Sequence, residues 1–238
     1  MDNSFNEERY SSSSMLALGE IERNLRISTI LELSAACGPK RILDIGCSDG
    51  FLSRLLKERT GAEIVGIEGS STAAAQARQI CTHVHEIFLG SDLIPEEDQS
   101  FDLVVVGEVI EHVFQTEDML EELHRVTRPG GHVLLTTPNL AAWFNRVMIL
   151  MGHHPLFSDI GVRETNAGNP YIKAFTPPGH IRAFTMSSLS DILRRTGWKV
   201  VEKRGANVLN NKLRPMDLWI SRRFPSLASD LIVLAQRT

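Results

Sequence analysis

The stretch ILDIGCSDGF, residues 42–51, joins an apolar run to a turn bounded by two glycines. Gly46 and Gly50 permit a tight turn in which the backbone approaches a ligand closely, and the helix predicted to follow presents unpaired N–H groups. A dinucleotide fingerprint requires glycine at positions 46, 48 and 51, whereas this chain has Ser48 and Phe51. The turn therefore predicts a ligand site and disfavours NAD or FAD as the ligand.

Strand-like and helix-like segments alternate on both sides of this turn. The strand-like runs are RILDIG (41–46), EIVGIE (63–68), HVHEIFLG (83–90), FDLVVVG (101–107), GHVLLTTP (131–138), WKVVEKRG (198–205) and DLIVLAQR (230–237). Helical patterns cover residues 18–37, 51–60, 71–80, 117–127 and 186–197. Crossovers of this length join parallel strands, so the pattern predicts an α/β fold with a doubly wound sheet.

Length and composition predict one domain. The chain has 238 residues, of which 42% are hydrophobic and 23% charged. We expect residues 1–15, which are polar and Ser-rich, to be a flexible leader, and residues 16–238 to form a single domain. No run approaches the roughly 20 apolar residues that a membrane helix needs, and the three cysteines are odd in number. We therefore expect a cytoplasmic protein with reduced thiols and no membrane span.

Charge is unevenly distributed along the chain. Residues 91–124 contain eleven acids and no Lys or Arg, whereas residues 194–223 contain nine bases and two acids. The simplest interpretation is a solvated acidic face and a solvated basic face. The alternative is that the basic segment meets an anionic substrate or surface. The formal net charge of −4 makes nucleic acid an unlikely partner, since duplex binding neutralises many phosphates.

Two carboxylates lie beside the predicted turn. Asp44 precedes it by two residues, and Glu68 closes the second strand. In doubly wound sheets ligands bind beyond the carboxyl ends of the strands, where the strand order reverses. A carboxylate at the end of strand two can accept both hydroxyls of a ribose, and Asp44 is placed to meet a cation. A ligand with an adenosine and a positively charged amino acid fits this pair.

The motifs ILDIGCSDGF, IVGIEGS, GSDL, FDLVVVGEVIEHV and RVTRPGGHVLLTTPN resemble, in order and spacing, those of class I S-adenosylmethionine-dependent methyltransferases. The resemblance is strong over about residues 40–138. It implies a Rossmann-like, seven-stranded, mostly parallel sheet with an antiparallel last strand and a cap insertion.

The same resemblance implies a cofactor site. Glu68 would hold the ribose hydroxyls, Asp92 the adenine amino group, and Glu108 would begin the segment that faces the sulfonium. Ser48 departs from the family, which commonly has glycine there. The full predicted set for S-adenosylmethionine is Asp44, Gly46, Cys47, Ser48, Gly50, Glu68, Gly69, Asp92, Leu93 and Glu108.

The sequence EVIEH, residues 108–112, follows the fourth strand. In a helical turn, Glu108, Glu111 and His112 would project from one face, and two carboxylates with an imidazole suit a divalent cation. The O-methyltransferases of ubiquinone biosynthesis and the 2′-O-methyltransferases of small RNAs have a similar segment with a later histidine, here His180, and use a divalent metal. The resemblance implies a Mg or Mn site formed by Glu108, Glu111, His112 and His180. Two alternatives stay open: His112 or His180 is catalytic as a general base or contacts the substrate, or the stretch is structural.

Residues of about 139–185 are predicted to form a substrate cap. The apolar pattern of Trp143, Phe144, Met148 and Met151 favours a packed helix over a binding surface, and the candidate acceptor contacts are Arg163, Asn166, Tyr171 and Lys173. We expect methylation of a hydroxyl on a small-molecule, sugar or lipid-like acceptor. The alternatives are a non-catalytic or regulatory protein that acts through a partner, and an RNA 2′-O-methyltransferase. The sequence does not identify the acceptor or the oligomeric state.

Overall fold

The computed structural model describes residues 24–88, 92–158, 160, 168–169, 179–209 and 212–238. The predicted leader, the start of the first predicted helix and the candidate cap contacts Arg163, Asn166, Tyr171 and Lys173 lie outside these residues.

Seven strands and seven helices alternate in the described part of the chain. The strands are β1 (Arg41–Ile45), β2 (Glu63–Ile67), β3 (His83–His85), β4 (Phe101–Gly107), β5 (Thr127–Pro138), β6 (Trp198–Ala206) and β7 (Asp230–Arg237). The helices are α1 (Leu25–Cys37), α2 (Phe51–Thr60), α3 (Ser71–Ala77), α4 (Thr116–Val126), α5 (Trp143–Leu150), α6 (Met186–Arg195) and α7 (Arg214–Arg223). Short 3₁₀ turns cover Ile110–His112 and Pro225–Leu227.

The strands form one sheet in the order β3-β2-β1-β4-β5-β7-β6. Strand β7 is antiparallel to both of its neighbours, β5 and β6, and the other pairs are parallel. The predicted seven-stranded, mostly parallel sheet with an antiparallel last strand is confirmed. The strand order reverses between β1 and β4, so the carboxyl ends of β1, β2 and β4 meet at the position where such sheets bind ligands.

Both faces of the sheet are covered, which explains why the central strands are apolar throughout. One buried cluster includes Met119 and Leu123 of α4 and Leu189 of α6. The other includes Leu33 of α1 and Leu56 of α2. None of the helices in the described part is long and apolar enough to cross a bilayer.

Three elements differ most from the sequence prediction; helices α3 and α6 also end three and two residues earlier than predicted, at Ala77 and Arg195. Strand β3 covers only His83–His85, and β5 begins at Thr127, four residues before its predicted start. The pairing of β4 with β5 shifts register between Phe101 and Leu103, so the Pro-Gly-Gly segment, residues 129–131, belongs to an irregular part of β5. Helix α7 was not predicted, because the residues that it buries, Asp217 and Ser221, are polar. A helix, α5, is confirmed at Trp143–Leu150, but the predicted packing holds only in part: Phe144 is buried, whereas Met151 follows the helix and is 49% exposed.

Candidate functional site

The loop after β1 packs directly against the EVIEH segment. Gly46 has a φ of 67°, and a Cβ added there would lie 2.6 Å from Val109 Cγ2. The backbone N–H groups of Gly46 and Cys47 donate to Ile67 O of β2 at 2.8 and 3.0 Å. Glycine is therefore required at position 46 for both its conformation and its close approach to Val109. This contact places the predicted cofactor loop next to the predicted metal segment.

Glu68 holds two loops together at the carboxyl end of β2. Its carboxylate is buried, and it accepts hydrogen bonds from Ser48 N at 2.9 Å and from Ser70 N at 2.8 Å. Ser48 has a φ of 50°, in the left-handed region that glycine adopts most readily. Each carboxylate oxygen has two lone pairs, so both oxygens keep the capacity to accept a ligand hydroxyl.

Asp44 and Cys47 point into the interior. The Asp44 side chain is only 1% exposed, and its Oδ2 accepts a hydrogen bond from Ser53 Oγ at 2.6 Å. Burial raises the pKa of Asp44 to about 7, the hydroxyl of Ser53 lowers it, and the charge of Glu68 raises it. Cys47 is also buried, with its Sγ 2.6 Å from the position of a Cβ added at Gly66. The Cys47 side chain therefore faces the core, which leaves its backbone to line the loop.

The predicted adenine contacts lie beyond β3. Asp92 Oδ2 accepts a hydrogen bond from Phe88 N at 3.3 Å, and Leu93 is 77% exposed. A Cβ added at Gly69 would lie 2.5 Å from Phe88 Cε1, so the Phe88 ring covers the loop after Glu68. Asp92 and Leu93 thus follow the strand next to β2, at the same edge of the sheet as Glu68.

Glu108 follows β4 directly, has a strained backbone conformation and pairs with a cation from α1. Its φ is 56°, its Oε1 accepts a hydrogen bond from Thr136 Oγ1 at 2.9 Å, and its Oε2 lies 2.8 Å from Arg26 Nη1. The same Arg26 nitrogen lies 3.6 Å from Asp230 Oδ2. Burial raises the pKa of Asp230 to about 8, the charge of Glu108 raises it too, and Arg26 lowers it. Arg26 therefore partly compensates the negative charges of Glu108 and Asp230 at this edge of the sheet.

Glu111, His112 and His180 form a compact cluster beside Glu108. Glu111 is 1% exposed, and its Oε2 accepts a hydrogen bond from Thr137 Oγ1 at 3.0 Å. Its other oxygen, Oε1, is buried and has no hydrogen-bond partner among the described residues. The Nε2 atoms of His112 and His180 each lie 4.0 Å from this oxygen. Burial, followed by the charge of Glu108, raises the pKa of Glu111 to about 8.

Backbone carbonyls orient both imidazoles. His112 Nδ1 lies 3.1 Å from Gly179 O, and His180 Nδ1 lies 3.1 Å from Phe157 O. A carbonyl oxygen only accepts hydrogen bonds, so each Nδ1 carries the proton and each Nε2 of a neutral ring is an acceptor. The centroids of the two imidazole rings lie 5.0 Å apart. The arrangement turns two imidazole lone pairs and one carboxylate oxygen toward the same region.

Three of the four predicted metal ligands come together, and Glu108 does not join them. Among the described residues, the group that could hold a metal ion consists of Glu111, His112 and His180, whose ligand atoms lie within 4.8 Å of one another. The prediction of a helical turn that includes Glu108 is wrong: the 3₁₀ turn is Ile110–His112, and Glu108 precedes it with a left-handed backbone. Its carboxylate is directed instead to Arg26.

Several residues of the site were not identified from the sequence. They support the carboxylates already named: Arg26, Ser53, Thr136, Thr137 and Asp230. The two threonines could have been identified from the sequence, because adjacent β4 and β5 end together and Gly107 pairs with Thr136. No sequence pattern points to Arg26, since its partners lie in distant segments.

Comparison with known proteins identifies the family. A model described as a methyltransferase domain matches residues 19–203 of this chain. The chain belongs to this methyltransferase domain family. A similar protein is the ubiquinone biosynthesis O-methyltransferase of Pseudomonas syringae pv. tomato, at 34% identity over 120 residues, which cover 48% of this chain and 51% of that protein. The enzyme of the same name from Cupriavidus pinatubonensis is 29% identical over 191 residues, 76% of this chain and 68% of that protein. The match thus spans about half the length of the first of these relatives.

Solved structures agree with the family's fold. The N-methyltransferase NodS of Bradyrhizobium japonicum, in complex with S-adenosyl-L-homocysteine, superposes with a TM-score of 0.61 at 16% identity, over 99% of each chain. A SAM-dependent methyltransferase of Archaeoglobus fulgidus gives a TM-score of 0.58 at 18% identity, over 98% of this chain and 99% of that one. At these identities the likeness concerns the fold alone.

Proposed function

We propose that this chain transfers a methyl group from S-adenosylmethionine to a hydroxyl of a small-molecule, sugar or lipid-like acceptor, with a divalent cation, Mg or Mn, held by Glu111, His112 and His180. The supporting observation is that Glu111 Oε1 is buried without a hydrogen-bond partner among the described residues, with two histidine Nε2 atoms 4.0 Å away, next to the family's cofactor loop. The name of the similar proteins, ubiquinone biosynthesis O-methyltransferase, supports oxygen as the acceptor atom.

The residues around the β1 loop suit the cofactor. The turn from Gly46 to Gly50 leads into the N-terminus of α2, and Glu68 at the end of β2 keeps lone pairs for ribose hydroxyls. Glu108, which has a strained conformation with a φ of 56°, precedes Val109, the residue that packs on Gly46 of this loop. Strain of this kind, which costs about 1–3 kcal/mol, is typical of functional sites.

The donor set fits a divalent cation. Two imidazole nitrogens and one carboxylate oxygen are common ligands of such metals. Metal-bound histidines usually donate their other N–H to a carbonyl or carboxylate, and both histidines here do so toward Gly179 O and Phe157 O. A cation would also compensate the buried charge of Glu111, whose pKa is raised by burial.

The chain's own residues contribute mainly by positioning. When bound, a divalent cation lowers the pKa of a nearby hydroxyl and so eases its deprotonation. Thr137 fixes the Glu111 carboxylate, and the two carbonyls fix the imidazole rings. Because Val109 packs on Gly46, the segment that carries the cluster lies against the cofactor loop. Correct alignment of two reactants can contribute about 7–11 kcal/mol to a methyl transfer.

Binding of Mn²⁺ tests the metal part of the proposal. In a titration followed by the electron paramagnetic resonance signal of free Mn²⁺, the wild type should bind one Mn²⁺ ion. Glu111→Gln and His180→Ala should each reduce the affinity of this site for Mn²⁺ by more than about tenfold. Glu108→Gln is the matched control, because it removes a neighbouring acid that pairs with Arg26, and it should retain the site. Calorimetry with S-adenosylhomocysteine should give similar affinity for wild type and Glu111→Gln. Equal Mn²⁺ binding by wild type and Glu111→Gln would reject the site.

A further inference from the structure

Helix α7 presents an apolar and basic face outward and a polar face inward. Its buried residues are Asp217 and Ser221. On the outer face Met216 is 41% exposed and Trp219 is 62% exposed. A helix that packs on a core normally does the reverse. The outward apolar face of α7 is therefore a feature to be explained.

Polar contacts fix this orientation. Asp217 Oδ1 accepts hydrogen bonds from Trp143 Nε1 at 2.9 Å and Ser229 Oγ at 2.8 Å. Its Oδ2 accepts from the backbone N–H groups of Val208 and Leu209 at 3.2 and 3.1 Å. Since a buried carboxylate that loses such donors is costly, α7 cannot rotate to hide Trp219.

Aromatic and basic side chains are combined on the outer face. The rings of Trp219 and Phe224 lie 5.8 Å apart, and the Arg223 guanidinium lies 5.4 Å from the Phe224 ring centroid. Phe224 is 41% exposed, and Arg222 and Lys212 are exposed as well. Because Asp217 is buried, the exposed charges on this face are positive, although the whole chain has a net charge of −4.

We propose that the outer face of α7, defined by Met216, Trp219, Arg222, Arg223 and Phe224, docks on the surface of an anionic lipid bilayer. Indole rings and guanidinium groups prefer the boundary between lipid headgroups and acyl chains, and basic residues are attracted to anionic lipids. A face that combines exposed Met216 with exposed aromatic side chains suits a bilayer better than a nucleic acid, which would call for more cations.

The location of α7 gives this docking a direction. Helix α7 connects the carboxyl end of β6, at Ala206, to the start of β7, at Asp230. Asp230 pairs with Pro138 at the end of β5, so α7 lies at the edge of the sheet that holds the candidate site. Docking through α7 would bring that edge toward the membrane. The inference goes beyond the proposed function and does not depend on the identity of the acceptor.

Vesicle sedimentation tests the docking. The whole chain should pellet with vesicles of phosphatidylcholine that contain about one third phosphatidylglycerol, and much less with phosphatidylcholine alone. The double variant Arg222→Gln/Arg223→Gln should reduce the partition coefficient on the order of 30-fold. The matched control is Lys40→Gln/Arg59→Gln, which removes the same charge at the opposite edge of the sheet and should bind like the wild type. Melting curves check that each variant is folded.

Fluorescence provides a second measurement. Among the three tryptophans, Trp198 is buried in the core and Trp143 is half-buried, so brominated lipid should quench mainly Trp219. Trp219→Phe should keep most of the vesicle binding and lose the quenching. Equal binding to neutral vesicles, equal binding by the Arg222→Gln/Arg223→Gln variant, or unquenched Trp219 in vesicle-bound protein would overturn the proposal. So would self-association or binding to single-stranded RNA through this face without vesicle binding.

Discussion

Asp44 is the residue for which burial has the clearest measurable consequence. Its carboxyl is buried in β1, two residues before the candidate cofactor loop, and burial raises its pKa from 3.8 to about 7. Between these values the unfolded chain is ionised while the folded chain keeps the proton, so Asp44 should make the protein less stable as the pH rises from about 4 to 7.

Asp44→Asn should remove this part of the pH dependence, since an amide oxygen can still accept the hydrogen bond of Ser53. Relative to the wild type, the variant should gain on the order of 2 kcal/mol of unfolding free energy between pH 5 and pH 8. Urea titrations at the two pH values measure the change, with Glu121→Gln on the exposed face of α4 as the control. Parallel pH profiles for wild type and Asp44→Asn would show that the carboxyl ionises normally.

For individual residues, the sequence predicted some structural roles and missed others. Gly46 and Gly50 could be predicted because a strand, a turn and a helix follow one another directly in the chain, and both glycines have positive φ. The ion pair of Arg26 with Glu108 joins segments more than eighty positions apart, so no local sequence pattern predicts it. The left-handed backbone of Glu108 depends on packing around Val109 and Thr136, which is again a tertiary effect.

Among the elements, α7 depends most on a single polar residue. Asp217→Ala would leave the N–H groups of Val208, Leu209 and Trp143 and the hydroxyl of Ser229 without their acceptor. We expect a loss on the order of 3 kcal/mol in the free energy of unfolding, because each unsatisfied buried donor costs about 1–3 kcal/mol and some will find water.

The control for this element is Glu121→Ala, which shortens an exposed acid of α4 and should change stability by less than about 0.5 kcal/mol. Thermal or urea unfolding of both variants measures the difference. If Asp217→Ala were as stable as Glu121→Ala, the hydrogen bonds of Asp217 would not hold α7 in place.

Elements with regular apolar patterns were predictable. Strands β4 and β7 and helix α2 have the predicted boundaries, since their hydrophobic periodicity agrees with their burial. Helix α7 fails this rule because its burial is polar and its outer face is apolar. Strand β3 was predicted too long, since apolar Ile87 and Phe88 follow it without joining the sheet.

For the whole molecule, the order of motifs predicted the sheet, whereas the candidate metal cluster needed the structure. Glu111 and His112 follow β4, while His180 belongs to a segment far along the chain that is held by backbone hydrogen bonds from Ile181 and Arg182 to Glu111 O. Sequence spacing could identify His180 as a candidate ligand. It could not predict that His180 Nε2 would face Glu111, or that the carboxylate of Glu108 would pair with Arg26 instead.

The proposed methyl transfer depends on the cluster of Glu111, His112 and His180. The most direct measurement follows label from methyl-labelled S-adenosylmethionine into the small-molecule and lipid fraction of a bacterial extract, before chelation, after exhaustive chelation and after Mn²⁺ is restored. We expect a methylated product that disappears on chelation, returns with Mn²⁺, and is not formed by Glu111→Gln. Activity that survives exhaustive chelation but falls with His112→Ala or His180→Ala would contradict the metal and leave a histidine as the base; absence of any labelled product under all three conditions would contradict the proposed transfer itself.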